Sequence, residues 1–219
     1  MADYIRARTP KRKQERMAAI MAAADDLFAE RPYHQITMGT IAEKLGWSRS
    51  NLYKYAATQE EVFLALHSAK NRAWLEELAT ELDGAPLPAA EFARTWAEVT
   101  ASHSSFLRYQ GILVSIIESN VTHERLVEFK RGSAAMVGPV IGALMRQCGV
   151  GDAEALDLYL RLLYQAPPLW DHYHFSESTM AAMREAGIPE SRGAFEDAYA
   201  DFVDMCVRRA SEKRAASSA

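Results

Sequence analysis

Residues 37–55 read TMGTIAEKLGWSRSNLYKY, and the fold of the chain depends on how that stretch is parsed. Thr37 is a residue type that caps a helix, Ile41 and Leu45 lie four apart on one face, and Ala42 is small enough to let a second helix cross closely. Gly46 supplies the turn, and Ser48 can cap the next helix. In that second helix Leu52 faces inward, leaving Arg49, Ser50, Asn51, Tyr53, Lys54 and Tyr55 to meet a groove. Two short helices joined by a glycine turn are the pattern of a helix-turn-helix DNA reader, so the first expected partner is double-stranded DNA.

Upstream, Lys11 to Glu30 place Met17, Ile20, Met21, Ala24, Leu27 and Phe28 at i, i+3, i+4, i+7 spacing, which marks an amphipathic helix ended by Arg31-Pro32. Packed on the two motif helices, it completes a three-helix headpiece. The net charge of −4 argues against a nucleic-acid partner until it is divided along the chain. Residues 1–60 hold 10 Lys+Arg and 7 Asp+Glu, net +3, and the remainder holds 15 and 22, net −7. Arg6, Arg8, Lys11, Arg12, Lys13 and Arg16 form a cluster opposed by Asp3 and Glu15, either a phosphate-contacting arm or a solvated tail.

Downstream, Thr58 and Glu61 form a capping-box pattern at the start of a long helix whose stripe is Val62, Phe63, Leu66, Trp74, Leu78 and Leu82. Gly84, Pro86 and Pro88 end it in a loop. Beyond Pro88 every segment has a helical period and none alternates as a half-buried strand does, so the chain is expected to be all-α. Helices are predicted at about 89–103, 105–119, 122–148, 152–166 and 193–214, with a less regular piece at 176–187. The expected division is an arm and DNA-binding domain over 1–57 and a second helical domain over 58–219.

Composition excludes several classes. Apolar residues make up 49% and charged residues 25%, the balance of a globular protein. The most apolar run, Ile112 to Ile117, is too short to cross a bilayer, and the N-terminus lacks the apolar core of a signal peptide, so no membrane partner and a cytoplasmic location are expected. Cys148 and Cys206 lack metal-ligand spacing and read as small hydrophobes. Asp171-His172-Tyr173-His174 carries metal-ligating residue types, but adjacent spacing beside Pro167-Pro168, where a helix-ending loop is predicted, is poor support. No nucleophile motif, phosphate-cradling glycine loop or zinc-protease helix is present, so neither a cofactor nor an enzymatic activity is expected.

The segment Trp47-Ser48-Arg49-Ser50-Asn51-Leu52-Tyr53-Lys54-Tyr55-Ala56, preceded by Ile41-Ala42-Glu43-Lys44-Leu45-Gly46, resembles the recognition region of the tetracycline-repressor (TetR) family of transcriptional regulators. The likeness covers about residues 11–70. It implies an all-helical homodimer whose N-terminal domain binds operator DNA and whose C-terminal domain binds a small effector and supplies the dimer contact; such proteins usually repress. The chain departs from the family pattern where Ser50 replaces a glycine, Ala56 a phenylalanine and Gln59 a phosphate-binding lysine. Trp47, bulkier than the usual valine, is a candidate to offset the loss at Ala56. Gly39, costly inside a helix, would permit close backbone approach to a phosphate.

Site residues are assigned by position. Arg49, Ser50 and Asn51 lie at the N-terminal end of the recognition helix, with Lys54 one turn on, and are the candidates for base edges. Arginine suits guanine and asparagine suits adenine. Thr37, Thr40, Tyr53 and Tyr55, with Lys11 and Lys13, suit phosphate or sugar; core packing is the other reading for Tyr53.

In the body, Phe106, Tyr109, Leu113, Val114, Ile116 and Ile117 share an apolar arc opposite Arg108, Gly111, Ser115 and Glu118, and Gln110 falls inside that arc. Such an amide bonds a neighbouring helix or a ligand, and His67 and Asn71 pose the same choice. With Trp74, Trp96, Tyr109 and Leu113, these residues make a candidate site for a small, largely apolar effector between helices of residues 62–145; plain core is the alternative for each ring. Helix 152–166 is apolar on two sides, Leu156, Tyr159, Leu160 and Leu163 against Leu158 and Leu162. Together with the Phe195, Tyr199, Phe202, Cys206 stripe it suits a four-helix homodimer interface. Two other classes stay open: a DNA reader controlled by a protein partner, and a helical enzyme or carrier.

Overall fold

A computed structural model of the chain describes residues 10–189 and 193–217. Arg6 and Arg8 of the basic cluster lie outside the described residues. Among those described, regular structure is helical throughout and no strand occurs, as the 3.6-residue period dictates.

The chain divides into two compact units, residues 1–69 with 112–131, and residues 70–111 with 132–219. In the first, α1 (Pro10–Glu30) precedes a 3₁₀ turn at Tyr33–Gln35, α2 (Met38–Lys44) and α3 (Arg49–Leu52). Of the stripe read from the sequence, Ile20, Ala24, Leu27 and Phe28 from α1, Ile41 and Ala42 from α2, and Leu52 from α3 are buried, joined by Met38, while Met17, Met21 and Leu45 are half-buried. Phe63 receives the rings of Phe28 and Tyr33 edge-on at 5.3 and 4.9 Å, a favoured aromatic geometry.

α4 (Gln59–Glu81) runs from the first unit into the second. At its start the Thr58 hydroxyl accepts the Glu61 N–H at 3.2 Å, while the Glu61 carboxylate reaches one residue further back than a capping box requires, accepting the Ala57 N–H at 2.9 Å.

The helix expected over 105–119 is broken. α6 (Ser104–Ile112) gives way to a π turn at Leu113–Ile117 and a 3₁₀ turn at Glu118–Asn120. A π turn carries more residues per revolution than an α-helix, so it rotates its own and later side chains away from their straight-helix positions. Val114, expected on the apolar arc, is accordingly 53% exposed, and Glu118, expected opposite, is largely covered and paired with Lys130 at 2.5 Å.

The second unit has its core on α4, α5 (Ala89–Ser102), α6, α7 (His123–Cys148), α8 (Asp152–Tyr173) and α10 (Phe195–Ser217), with α10 packed on α5 and α8. α8 does not stop before Pro167-Pro168 but continues to Tyr173. Proline removes a helical hydrogen bond and crowds the preceding turn; here the burial of Ala166 and Pro167 in the core outweighs that local preference. The piece at 176–187 is a regular helix, α9 (Glu177–Glu185), because Ser176 caps it through the Thr179 N–H at 3.2 Å.

The faces of α8 also need correction. Leu158, Tyr159, Leu162 and Leu163 are buried, and the outward apolar face is Leu156, Leu160 and Tyr164. Tyr159 and Leu163 thus belong with the core. No helix among the described residues is long and apolar enough to cross a membrane.

Candidate nucleic-acid interface

Local chemistry builds the reader. Thr37 Oγ1 accepts the Thr40 N–H at 3.1 Å, and Thr40 Oγ1 accepts the Thr37 N–H at 2.9 Å, a reciprocal cap that fixes the start of α2. Both threonine oxygens expected to touch phosphate are therefore engaged in capping, Thr37 on an exposed residue and Thr40 on a half-buried one. Gly46 has φ +65°, the left-handed conformation that a glycine adopts without steric cost, and it turns the chain between α2 and α3. Ser48 then caps α3 by accepting the Asn51 N–H at 3.3 Å.

α3 is only four residues long, and it and the three residues after it differ from expectation at Asn51 and Tyr55, both expected to be free to meet a groove. Leu52 is fully buried, Arg49, Ser50, Tyr53 and Lys54 are exposed, and Asn51 and Tyr55 are half-buried. Ser50 Oγ lies 3.1 Å from Ser48 Oγ, so the residue that departs from the family glycine joins the cap. Lys11 and Lys13 are exposed on the first turn of α1. Ala56 is buried, and Trp47 lies under the Arg16 guanidinium at 4.6 Å and beside Tyr55 at 6.2 Å. The bulk missing at Ala56 thus coexists with a cation–π contact between α1 and the turn into α3.

The structure brings Thr37, Arg49 and Tyr53 to one open cleft of about 540 Å³, where they meet Met38, Gly39, Ala57, Thr58, Gln59 and Glu60. Glu60 accepts the Tyr33 hydroxyl at 2.9 Å, and burial pushes that phenol above its ordinary range. Glu61, which holds Ala57, also faces Arg125 at 3.4 Å. Gly39 does not present bare backbone outward: the Arg49 guanidinium lies over it. Sequence reasoning missed Thr58 and Glu60 as members of this cleft, although the capping pattern at Thr58 marked where a second helix start would face it; Gln59 is marked in the sequence by the phosphate-binding lysine that it replaces.

The effector candidates are all buried: His67, Asn71, Trp74, Trp96, Tyr109, Gln110 and Leu113. Two have their polar atoms committed to the core, Trp74 Nε1 donating to Thr100 Oγ1 and Trp96 Nε1 to the Tyr199 hydroxyl, both at 3.2 Å. Trp74 also stacks on Phe106 at 4.8 Å. His67 meets the Phe129 ring edge-on at 5.4 Å, and the Lys70 ammonium lies 5.4 Å above the Tyr109 ring. No group of three metal-ligating side chains occurs among the described residues, and His174 instead stacks on Trp170 at 3.6 Å.

Comparison with known proteins agrees with this architecture. Residues 20–66 match the model of "Bacterial regulatory proteins, tetR family", and residues 68–211 match "Tetracyclin repressor-like, C-terminal domain". Together they span most of the chain, which belongs to the tetracycline-repressor family of helix-turn-helix transcriptional regulators.

A curated relative, the uncharacterized HTH-type transcriptional regulator YfiR of Bacillus subtilis, is 29% identical over 93 residues; the match spans 42% of each protein. Two solved structures share the fold at 17% identity and TM-score 0.53. They are a TetR/AcrR-family regulator from Thermobifida fusca, covering 90% of this chain and 96% of that one, and PfmR from Thermus thermophilus, covering 86% and 97%.

Proposed function

We propose that the protein is a homodimeric repressor that reads operator DNA through α3 and is released by a small, largely apolar effector. DNA binding is assigned to residues 1–57, effector binding and dimerisation to 58–219. The observation that carries the reading is the capped α3 itself, with Leu52 fully buried and Arg49, Ser50, Tyr53 and Lys54 exposed around it. Arg49, Ser50, Asn51 and Lys54 read base edges, while Lys11, Lys13, Thr37, Tyr53 and Tyr55 hold phosphate and sugar; Thr40, whose hydroxyl is committed to the cap, acts by fixing the start of α2.

The dimer uses α8 and α10, through residues 152–166 and 193–214. Support comes from an outward apolar face on α8, with Leu156 41%, Leu160 37% and Tyr164 51% exposed, and from Met205 on α10. In the effector site, His67, Asn71 and Gln110 supply the polar contacts, and Trp74, Trp96, Tyr109 and Leu113 supply apolar surface, since both indole N–H groups are occupied. An effector releases DNA only if it binds one arrangement of the paired headpieces better than the other.

The test is selection of bound duplexes from a random pool by the purified protein, and then titration of apolar small molecules against the selected site. A two-fold symmetric site released by a ligand class is the expected result. Absence of any sequence preference at moderate ionic strength overturns the DNA assignment; a selected site that no ligand class releases overturns the effector assignment.

A further inference from the structure

We infer that Gly39 is a specificity-determining residue, acting as the seat that positions Arg49 for base reading. The inference rests on the assignment of α3 to DNA. A methyl group built on Gly39 would stand 2.8 Å from Arg49 Nη2 and 3.1 Å from both Cζ and Nε. These three atoms of the guanidinium group all lie within contact distance of that position, so the group occupies the space where a side chain at residue 39 would begin. No other residue type leaves that space, because every one of them carries the carbon that would collide.

The placement matters because Arg49 opens a helix of only four residues and is exposed, a setting in which its long side chain would otherwise sample many rotamers. Over the first turn of α2, the fork lines the same cleft as Tyr53. An arginine whose resting position is already the reading position loses less conformational freedom when it grips two acceptors at once. The same contact accounts for a glycine inside a seven-residue helix, where alanine is intrinsically preferred. What obstructs a methyl group there is the far end of a flexible side chain and not backbone, so substitution displaces Arg49 and leaves the fold in place.

The experiment compares wild-type, G39A, R49A and the G39A/R49A double variant by bound-duplex selection, with thermal unfolding measured on each. The expected result is that G39A loses preference at the base position that R49A loses and at no other. Its affinity for the best site falls about tenfold, the double variant matches R49A, and the unfolding midpoint of G39A is not lowered.

A G39A profile identical to wild type, a loss spread evenly over all positions, or a double variant weaker than R49A overturns the inference. So does an R49A profile that keeps every position. Failure of the wild-type protein to select any sequence sinks the underlying DNA reading instead, which separates the two.

Discussion

The Trp96 indole N–H donates to the Tyr199 hydroxyl at 3.2 Å, and that hydroxyl in turn donates to the Leu162 carbonyl at 2.8 Å. One buried phenol thereby joins α5, α8 and α10 in the core of the second unit. Its removal leaves the indole donor without a partner, costing about 1–3 kcal/mol in a dry interior, whereas the Leu162 carbonyl, inside α8, loses only its bond to the phenol. Tyr199→Phe is therefore expected to destabilise by about 1–3 kcal/mol in urea unfolding. A loss under about 0.5 kcal/mol, the scatter of an ordinary surface substitution, would show that the bridge contributes little.

That bridge also marks the limit of what the sequence disclosed. The all-α class, the helix-turn-helix and the inward position of Leu52 were legible because each rests on local chemistry: a cap, a turn glycine and a 3.6-residue period. Features that depend on partners distant in sequence were not. Nothing near Trp96 announces Tyr199, and nothing near Pro167 announces that core packing will carry α8 past two prolines. The π turn at Leu113–Ile117 is invisible to a straight-helix wheel, which misplaced Val114 and Glu118. In the reader, the residue types at 49–54 were evident, but the pairing of Arg49 with Gly39 required side chains in space.

Base and phosphate contacts are separable by salt. Arg49→Ala is expected to cost about 1–3 kcal/mol on the best site and to relax preference at one base position. Lys11→Ala or Lys13→Ala should instead weaken binding to all sequences and reduce the slope of log K against log salt by about one. Titrations at several ionic strengths on matched and mismatched duplexes check both. Equal loss on every sequence for Arg49→Ala would move that residue to the phosphate class.

The outward face of α8 makes a separate prediction. Leu160 lies between Leu156 and Tyr164 one turn away on either side, and all three are exposed in the single chain. A carboxylate at its centre would be desolvated in a two-fold interface, where it also meets its own copy. Leu160→Glu should give a monomer by light scattering. Operator affinity should fall about a hundredfold, because two linked headpieces bind far more tightly than one. A variant that stays dimeric would place the interface elsewhere.

Alkaline pH tests the core through its buried acids. Burial pushes the Cys148 thiol from 9.0 up to about 11, against the opposing hydrogen bond from Ser211, and it raises Cys206 in the same direction. Tyr159 and Tyr199 are pushed above their usual 10.0 by the same cause. Between pH 9 and 11 the unfolded chain releases thiol protons that the folded chain keeps, so the unfolded state binds fewer protons and stability falls as pH rises. The contribution is fully present below the ordinary thiol pKa and is lost as pH climbs through the folded value. The urea midpoint should therefore be flat up to about pH 8.5 and decline beyond it, more steeply once the tyrosines of the unfolded chain begin to ionise. Cys148→Ala lowers the whole curve by leaving a small cavity, but its slope between pH 9 and 10 should be shallower than wild type, with the tyrosine-driven fall retained above that. Parallel curves for the two proteins would mean that the Cys148 thiol titrates alike in the folded and unfolded chains.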